Sequence, residues 1–260
     1  MPDLKISELP AADLPAGSEL TPIVQSGTTR RATVAQLSRA AFTERSVHVR
    51  DFGAAGDGTT NDAPAIQAAI EALRNNGGGV VQFGPRNYRV ATAIAINGVS
   101  VRLQGVGFTE TGAPGEGTWI TADNPAITPF TFTGVAARGS AVRDIAVREI
   151  HTAALNTSWA PNAYNYFFRV EDCFGAVDFD NVLMAGVNKG IYCRNSGRLD
   201  IRRLRGQVFT TAVEIDEAYD VVRLMSLHIW PYWSSNDNVI RWQQLNGDAF
   251  IFRRCDGVFI

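Results

Sequence analysis

The sequence predicts an all-β chain, a solenoid of stacked strands entered through one helix. Three observations predict it. Apolar-x-apolar pairs recur every 22 or 23 residues through the second half of the chain. Period-2 pairs at a fixed repeat of that length mean one coil per repeat. Val, Ile, Phe and Thr are plentiful and Gly supplies 24 of 260 residues, a mixture that favours strands and turns. Residues 62–73 carry helical apolar spacing.

Residues 1–45 differ in character. Pro10, Pro15 and Pro22 interrupt the early part, and Thr33 is placed to cap a short helix with Val34 and Leu37 on one face. The segment is too short to bury its own core, so it is either disordered or packed against a partner or a copy of itself.

A strand follows at 47–52, and Gly53, Gly56 and Gly58 allow a tight connection from it into the helix. Asp62 is the expected N-cap and Pro64 sits in the first turn. Ile66, Ala69, Ile70 and Leu73 share one face, and Asn75, Asn76 and Gly77 end the helix. The Gly- and Asp-rich stretch before it reads as architecture. It has no Lys of a phosphate loop and no alternating oxygen ligands of a calcium loop.

The repeats come next. Ile145-x-Val147-x-x-Ile150, Val177-x-Phe179-x-x-Val182, Leu199-x-Ile201-x-x-Leu204 and Val222-x-Leu224-x-x-Leu227 share one pattern. A second element precedes the last three: Phe168-x-Val170, Ile191-x-Cys193 and Val213-x-Ile215. Gly175, Gly197 and Asp220 fall in the turns between the two elements. Val177, Leu199, Val222 and Val258 are expected in one inward column. Phe250-x-Phe252 and Val258-x-Ile260 continue the register after an insertion within 228–247, and a similar insertion lies at 152–165. Such insertions project as loops and carry binding. The chain ends at Ile260 in mid-coil, which reads as the front part of a longer protein.

Net charge is −2, which leaves no nucleic-acid or membrane-surface footprint. Cys173, Cys193 and Cys255 have no C-x-x-C spacing and read as free thiols. His48 and His151 are isolated and read as ordinary surface or turn residues. No cofactor or metal site is expected. No secretory signal or membrane-length apolar run is visible.

Two stretches resemble known families. V-x-D-F-G-A-x-G-D-G-x-x-x-D at 49–62, then GGGVVQF at 77–83 and NYRV at 87–90, resembles the start of pectate-lyase-like proteins. The resemblance implies a right-handed parallel β-helix whose N-terminal capping helix closes the open end, with coils beginning at 80–83 and 88–90. Residues 6–10, ISELP, and the pattern V-x-x-G-x-T-x-x-x-T-x-x-x-L at 24–37 are similar to the short N-terminal adaptor segment of phage tail proteins. Together they resemble phage tailspikes. That resemblance implies that residues 1–45 attach to a phage tail or baseplate protein, and that 46–260 begin the β-helix. It further implies a homotrimer, a virion location and a bacterial surface polysaccharide as partner. The H-x-W-P-x-W run from His228 to Trp233 also looks like an element of some tailspikes.

Between inward apolar residues, side chains point outward and stack on adjacent coils about 4.8 Å apart. One outward ladder is Asp178, Asp200 and Arg223, and another is Arg169, Tyr192 and Glu214. Asp178 and Asp200, paired on adjacent coils, are therefore candidate catalytic carboxylates at the spacing of a retaining glycosidase, and Glu214 is a further candidate. The alternative is a surface charge ladder in which Arg223 neutralises Asp200. His228, Trp230, Tyr232, Trp233 and Asp237 are candidate sugar contacts, aromatic faces stacking on rings and polar groups bonding hydroxyls. The alternative for the tryptophans is packing of the loop onto the coil or against a second chain. No G-H-G of polygalacturonases is present. The expected whole protein is a polysaccharide depolymerase, hydrolase or lyase, while this chain alone is expected not to cleave. The rivals are a non-catalytic receptor-binding tail protein and a free polysaccharide-degrading enzyme.

Overall fold

Strand residues alternate sides, so the apolar members of each repeat turn inward together. In the computed structural model they stack residue on residue. Val47, Val81, Leu103, Val142, Phe179, Ile201 and Leu224 are successive parallel partners, all buried. Ile94, Phe130, Phe168, Ile191, Val213 and Phe250 form a second column, and Tyr88, Ile120, Val147 and Met184 a third. The result is a parallel β-helix with three sheets around one core.

The structure describes residues 18–34, 36–37, 46–74, 76–111 and 114–260. The motif at 6–10, Pro10, Pro15 and Asn75 lie outside the described residues. Two units divide between Glu44 and Arg45. In the first, Leu20–Gln25 and Thr28–Thr33 form an antiparallel hairpin. Thr33 and Gln36 then cap reciprocally: the Gln36 amide donates to Thr33 Oγ1 (3.1 Å) and the Thr33 amide to Gln36 Oε1 (2.8 Å). Thr33 therefore caps as expected, and Leu20 and Val24 stay exposed.

In the second unit, sheet A joins Ser46–His48, Gly79–Gln82, Val101–Gln104, 141–143, 178–180, 199–202, Ala218–Met225 and Cys255–Phe259. Sheet B joins Asp57–Asn61, Asn87–Val90, Trp119–Ala122, 146–149, 182–185, 204–207 and His228–Ile229. Sheet C joins Ile94–Asn97, Phe130–Thr133, Tyr166–Glu171, 187–194, 208–216 and Phe250–Phe252. The expected column forms: Leu199, Val222 and Val258 are direct partners, and Val177 extends their register by one rung. The repeat beginning at Ile145 is corrected. Ile145 pairs with Val182, not Val177, so the true equivalents in that coil are Ser140, Val142 and Ile145. The same apolar spacing spans the A–B corner, which shifted the alignment. Sheet B itself has no counterpart in the two-element repeat. Its rungs merge with their neighbours into the long strands Asp178–Arg194 and Leu199–Asp216.

Helix α1, Ala63–Arg74, buries Ile66, Ala69, Ile70 and Leu73. Asp62 does not act as its side-chain N-cap. Its carboxylate accepts from the amides of Ala55 (2.6 Å) and Gly56 (3.1 Å), pinning the glycine-rich connection, while Asn61 Oδ1 receives the Ala63 amide at 3.3 Å. The helix ends as expected in a Schellman motif: the Gly77 and Gly78 amides return to Arg74 and Leu73, with Gly77 at φ 76°. Gln67 closes the first coil. Its side-chain amide bonds both the N–H (2.8 Å) and the C=O (3.0 Å) of Ala95, groups that a preceding rung of sheet C would otherwise pair.

The two insertions do not project freely. The first runs out from sheet B beyond Glu149. The second contains helix α2, Asp237–Asn246, where an extended loop was expected. Trp159, Phe209 and Val239 are buried there with Trp233 and Trp242 against them, a small aromatic core outside the coils.

Candidate functional site

Three places on the β-helix carry chemistry. The first is the outward face of sheet A. The ladder of Asp178, Asp200 and Arg223 forms in the expected register, beside a second ladder of Arg143, Asp180 and Arg202. Arg143, Asp178, Asp180, Asp200 and Arg202 line a cleft of about 160 Å³. Arg202 holds Asp200 at two points, one of them Nε to Oδ1 at 2.7 Å, so Arg202 rather than Arg223 is the neutralising partner. Asp180 pairs with Arg203 at 2.7 Å. Asp178 differs. Burial raises its carboxyl above the ordinary range and Asp200 adds to this, against the pull of Arg143 and Arg202. Asp178 thus stands beside a carboxylate already paired with an arginine.

Glu214 lies on the outward face of sheet C, on the expected ladder with Arg169 and Tyr192. It accepts from Tyr166 Oη and from Arg253 Nε (2.8 Å). Desolvation raises its carboxyl, but these two hydrogen bonds outweigh that and hold it below the usual range. This is a paired structural carboxylate, and the same face carries Arg194–Glu217 and Arg254–Asp216.

The second place is the loop from His228 to Asn236 with helix α2. Gln207 on sheet B is fully buried and organises it. Its Oε1 receives the amides of Trp233 (2.9 Å) and Ser234 (2.8 Å), and its Nε2 donates to the Ser234 carbonyl (3.1 Å). Trp233 turns inward, its ring centroid 5.9 Å from Trp159, 5.4 Å from Phe209 and 5.7 Å from His151. It fits over Gly186, which has φ 73° and where a Cβ would lie 2.6 Å from the indole. Asn236 caps α2 by accepting from the Asn238 amide at 3.0 Å, and Asp237 occupies the first helical turn. Tyr232 packs on Trp119 and Leu183, and its hydroxyl meets His228 Nδ1 at 3.1 Å. Trp230 is left 62% exposed with His228 alongside it, centroids 6.0 Å apart. It lines a groove of about 450 Å³ between α2 and the corner at 208–210. Of the five predicted sugar contacts, Trp230 alone lines this groove.

The third place was missed by sequence reasoning. Glu149 occupies an inward position of sheet B and is buried with His151 under the 152–165 insertion. The Glu149 carboxyl accepts from the Asn188 amide at 2.6 Å, and burial pushes it well up. His151 is no surface residue. Its Nδ1 accepts from the Asn162 amide (3.0 Å), its Nε2 faces the Gly186 carbonyl (2.9 Å), and burial lowers it to about 4. Burial disfavours the charged form of both groups, and their hydrogen bonds to Asn188 and Asn162 fasten the insertion. The one available signal was a Glu and a His two residues apart where a period-2 strand continues.

Residues 46–124 match the family model for rhamnogalacturonase A/epimerase, pectate lyase-like proteins. That stretch holds α1 and the first coils and includes none of the candidate residues. A mannuronan C5-epimerase of Azotobacter vinelandii is 54% identical over 46 residues, 18% of this chain and 5% of its own length. An alginate lyase of the same organism is 54% identical over 44 residues, 17% of this chain and 5% of its own length. This chain thus spans a small part of the curated relatives it matches. Among solved structures, ORF18 of Geobacillus virus E2 aligns over 82% of this chain and 49% of its own, at 20% identity and TM-score 0.47. The fold is pectate-lyase-like, and among the described residues no helix is long and apolar enough to cross a membrane.

Proposed function

We propose that this chain is the front part of a phage tailspike that recognises a bacterial surface polysaccharide. Residues 1–45 attach it to a tail or baseplate protein, and the β-helix assembles as a homotrimer. The observation that carries recognition is Trp230, an exposed indole on a groove of ligand size, set on a loop that Gln207 holds in place. Sugar rings stack their C–H faces on such a surface. The virion reading is supported by the adaptor resemblance at 6–10 and 24–37. Mannuronan and alginate, named for the relatives, support a polysaccharide in general.

Depolymerisation by the whole protein is a second step of this reading, with Asp178 as the acid and Asp200 as its partner. The raised carboxyl of Asp178 favours it. The non-catalytic alternative draws on the arginine pairing of Asp180, Asp200, Glu214, Asp216 and Glu217. The test is adsorption of the chain to capsule or lipopolysaccharide from host cells, with reducing ends and unsaturated uronates assayed in parallel. Trp230→Ala should abolish most adsorption and Asp178→Asn should leave it intact, with no turnover by this chain. Adsorption indifferent to Trp230→Ala would refute the recognition site. Turnover lost in Asp178→Asn would establish that acid pair in this chain.

A further inference from the structure

We infer that the groove beside Trp230 takes an uncharged stretch of glycan carrying small methyl-bearing substituents, such as acetamido or deoxy-methyl groups, and excludes polyuronates. The inference rests on the glycan-recognition reading above and narrows its ligand class. Among the described residues, no Asp, Glu, Lys, Arg or His lines the groove. Its walls are apolar at Val208, Ile229 and Ile240 and aromatic at Trp230, with Thr210 and Gln244 as polar groups. The helix spacing explains this. Ile240, Gln243 and Gln244 fall on one face of α2, while Val239 and Trp242 turn to the aromatic core.

Two kinds of groups remain for a ligand. The Gln244 side chain is exposed and makes no hydrogen bond in the structure, so its amide can both donate and accept. Thr210 spends its hydroxyl proton on Asn188 Oδ1 (2.6 Å) and keeps acceptor capacity. Gln243 is occupied, donating to the Val208 carbonyl at 3.0 Å, and so ties α2 to the coil as a fixed wall. A volume of about 450 Å³ falls within the small-ligand range of roughly 300–1,000 Å³.

Charge decides between glycan classes. A uronate carboxylate entering this groove would lose water and find no cation, which is strongly unfavourable. Methyl and acetyl groups fit apolar walls, and an amide pairs with Gln244. Arg143, Arg202 and Arg203 stand on sheet A and Arg169, Lys189 and Arg253 on sheet C, while Arg241 is on α2 but is not among the residues lining the groove.

The test is calorimetric titration of the chain with two sets of oligosaccharides of equal length, one of N-acetylhexosamine and 6-deoxyhexose, the other of mannuronate and galacturonate. Each is run at low and high salt. The neutral set should bind, with no dependence on salt, and Trp230→Ala should weaken it roughly tenfold, the worth of one aromatic contact. Gln244→Lys is exposed and safe for folding, which circular dichroism checks. It should weaken neutral binding and admit the uronate set in a salt-sensitive way. Uronate binding to the parent chain that depends on Trp230 would overturn the ligand class and keep the recognition site. Binding of neither set would overturn the groove as a glycan site. A rise in mass with concentration that Trp230→Ala removes would overturn it in favour of a contact between copies.

Discussion

The coil core and the aromatic core outside it are built on opposite principles. In the coils, the rungs of sheets A and C repeat their neighbours, so Val142, Phe179 and Ile201 each have an apolar residue above and below. Stability there is a sum of equivalent interfaces. Outside the coils nothing repeats. Trp159, Phe209, and the pair Trp233 and Trp242 come from three separate parts of the chain and meet once, fastened by polar anchors at Gln207, Glu149 and His151. A ladder resists local change and offers a binding surface only through its outward residues. A unique cluster can be shaped into a groove, and it can be undone by one substitution.

That contrast orders the expected effects. The largest is in the ladder. Phe179→Ala should cost about 3–5 kcal/mol, because the hole cannot close without shifting two neighbouring coils. Thermal melting followed by far-ultraviolet dichroism measures it, and a loss below about 1 kcal/mol would mean the columns are not close-packed.

The next effect belongs to the outer core and depends on pH. His151 takes a proton near pH 4 when folded and near 6.5 when unfolded. Between those values the unfolded state binds more protons, so stability falls as pH drops, by about 3 kcal/mol in all. Glu149 acts in the opposite sense. Its raised carboxyl favours the folded state at low pH, and that contribution is lost as pH climbs through 4.5 and beyond. Denaturant melts across this range should show the two slopes offsetting each other in the parent chain, whose profile is flatter than that of either variant below. His151→Gln should keep only the decline towards high pH, and Glu149→Gln only the decline towards low pH. Identical profiles in all three would contradict the burial of this pair.

Gln207→Ala should cost about 1–3 kcal/mol, because three partly buried backbone groups of the loop lose their partner. Near-ultraviolet dichroism of the tryptophans should change while the coil signal holds. The smallest effect is on the outward face of sheet A. Asp200→Asn breaks a surface ion pair and should shift stability by no more than about 1 kcal/mol.

The same contrast explains what was legible in the sequence. The columns of sheets A and C announce themselves because Val177, Leu199 and Val222, or Phe168, Ile191 and Val213, repeat at spacings of 22 or 23 residues. Sheet B stayed hidden because its inward column is irregular, with Gly206 following Met184 and Glu149 following Ala122. Gly186 marks its corner with sheet C in one coil, but in the next coil Gln207 runs directly into Val208. The outer core was unreadable for a different reason. Trp159 and Trp242 are far apart in sequence, and no periodicity links residues that meet only through tertiary structure. Helix α2 did leave a trace, an Asn236 cap followed by Val239 and Trp242 at helical spacing. The aromatic density of the loop outweighed it. For the candidate site, the ladder register of Asp178 and Asp200 was readable, and the rotamer that gives Asp200 to Arg202 was not.

Hydrogen exchange of the chain with and without saturating host polysaccharide tests the central claim most directly, because it reports both regions at once. The account predicts new protection at 228–234 and along α2, with no change at 178–202. Protection confined to 178–202, with the Trp230 loop and α2 unchanged, would contradict it and move recognition to the carboxylate face of sheet A.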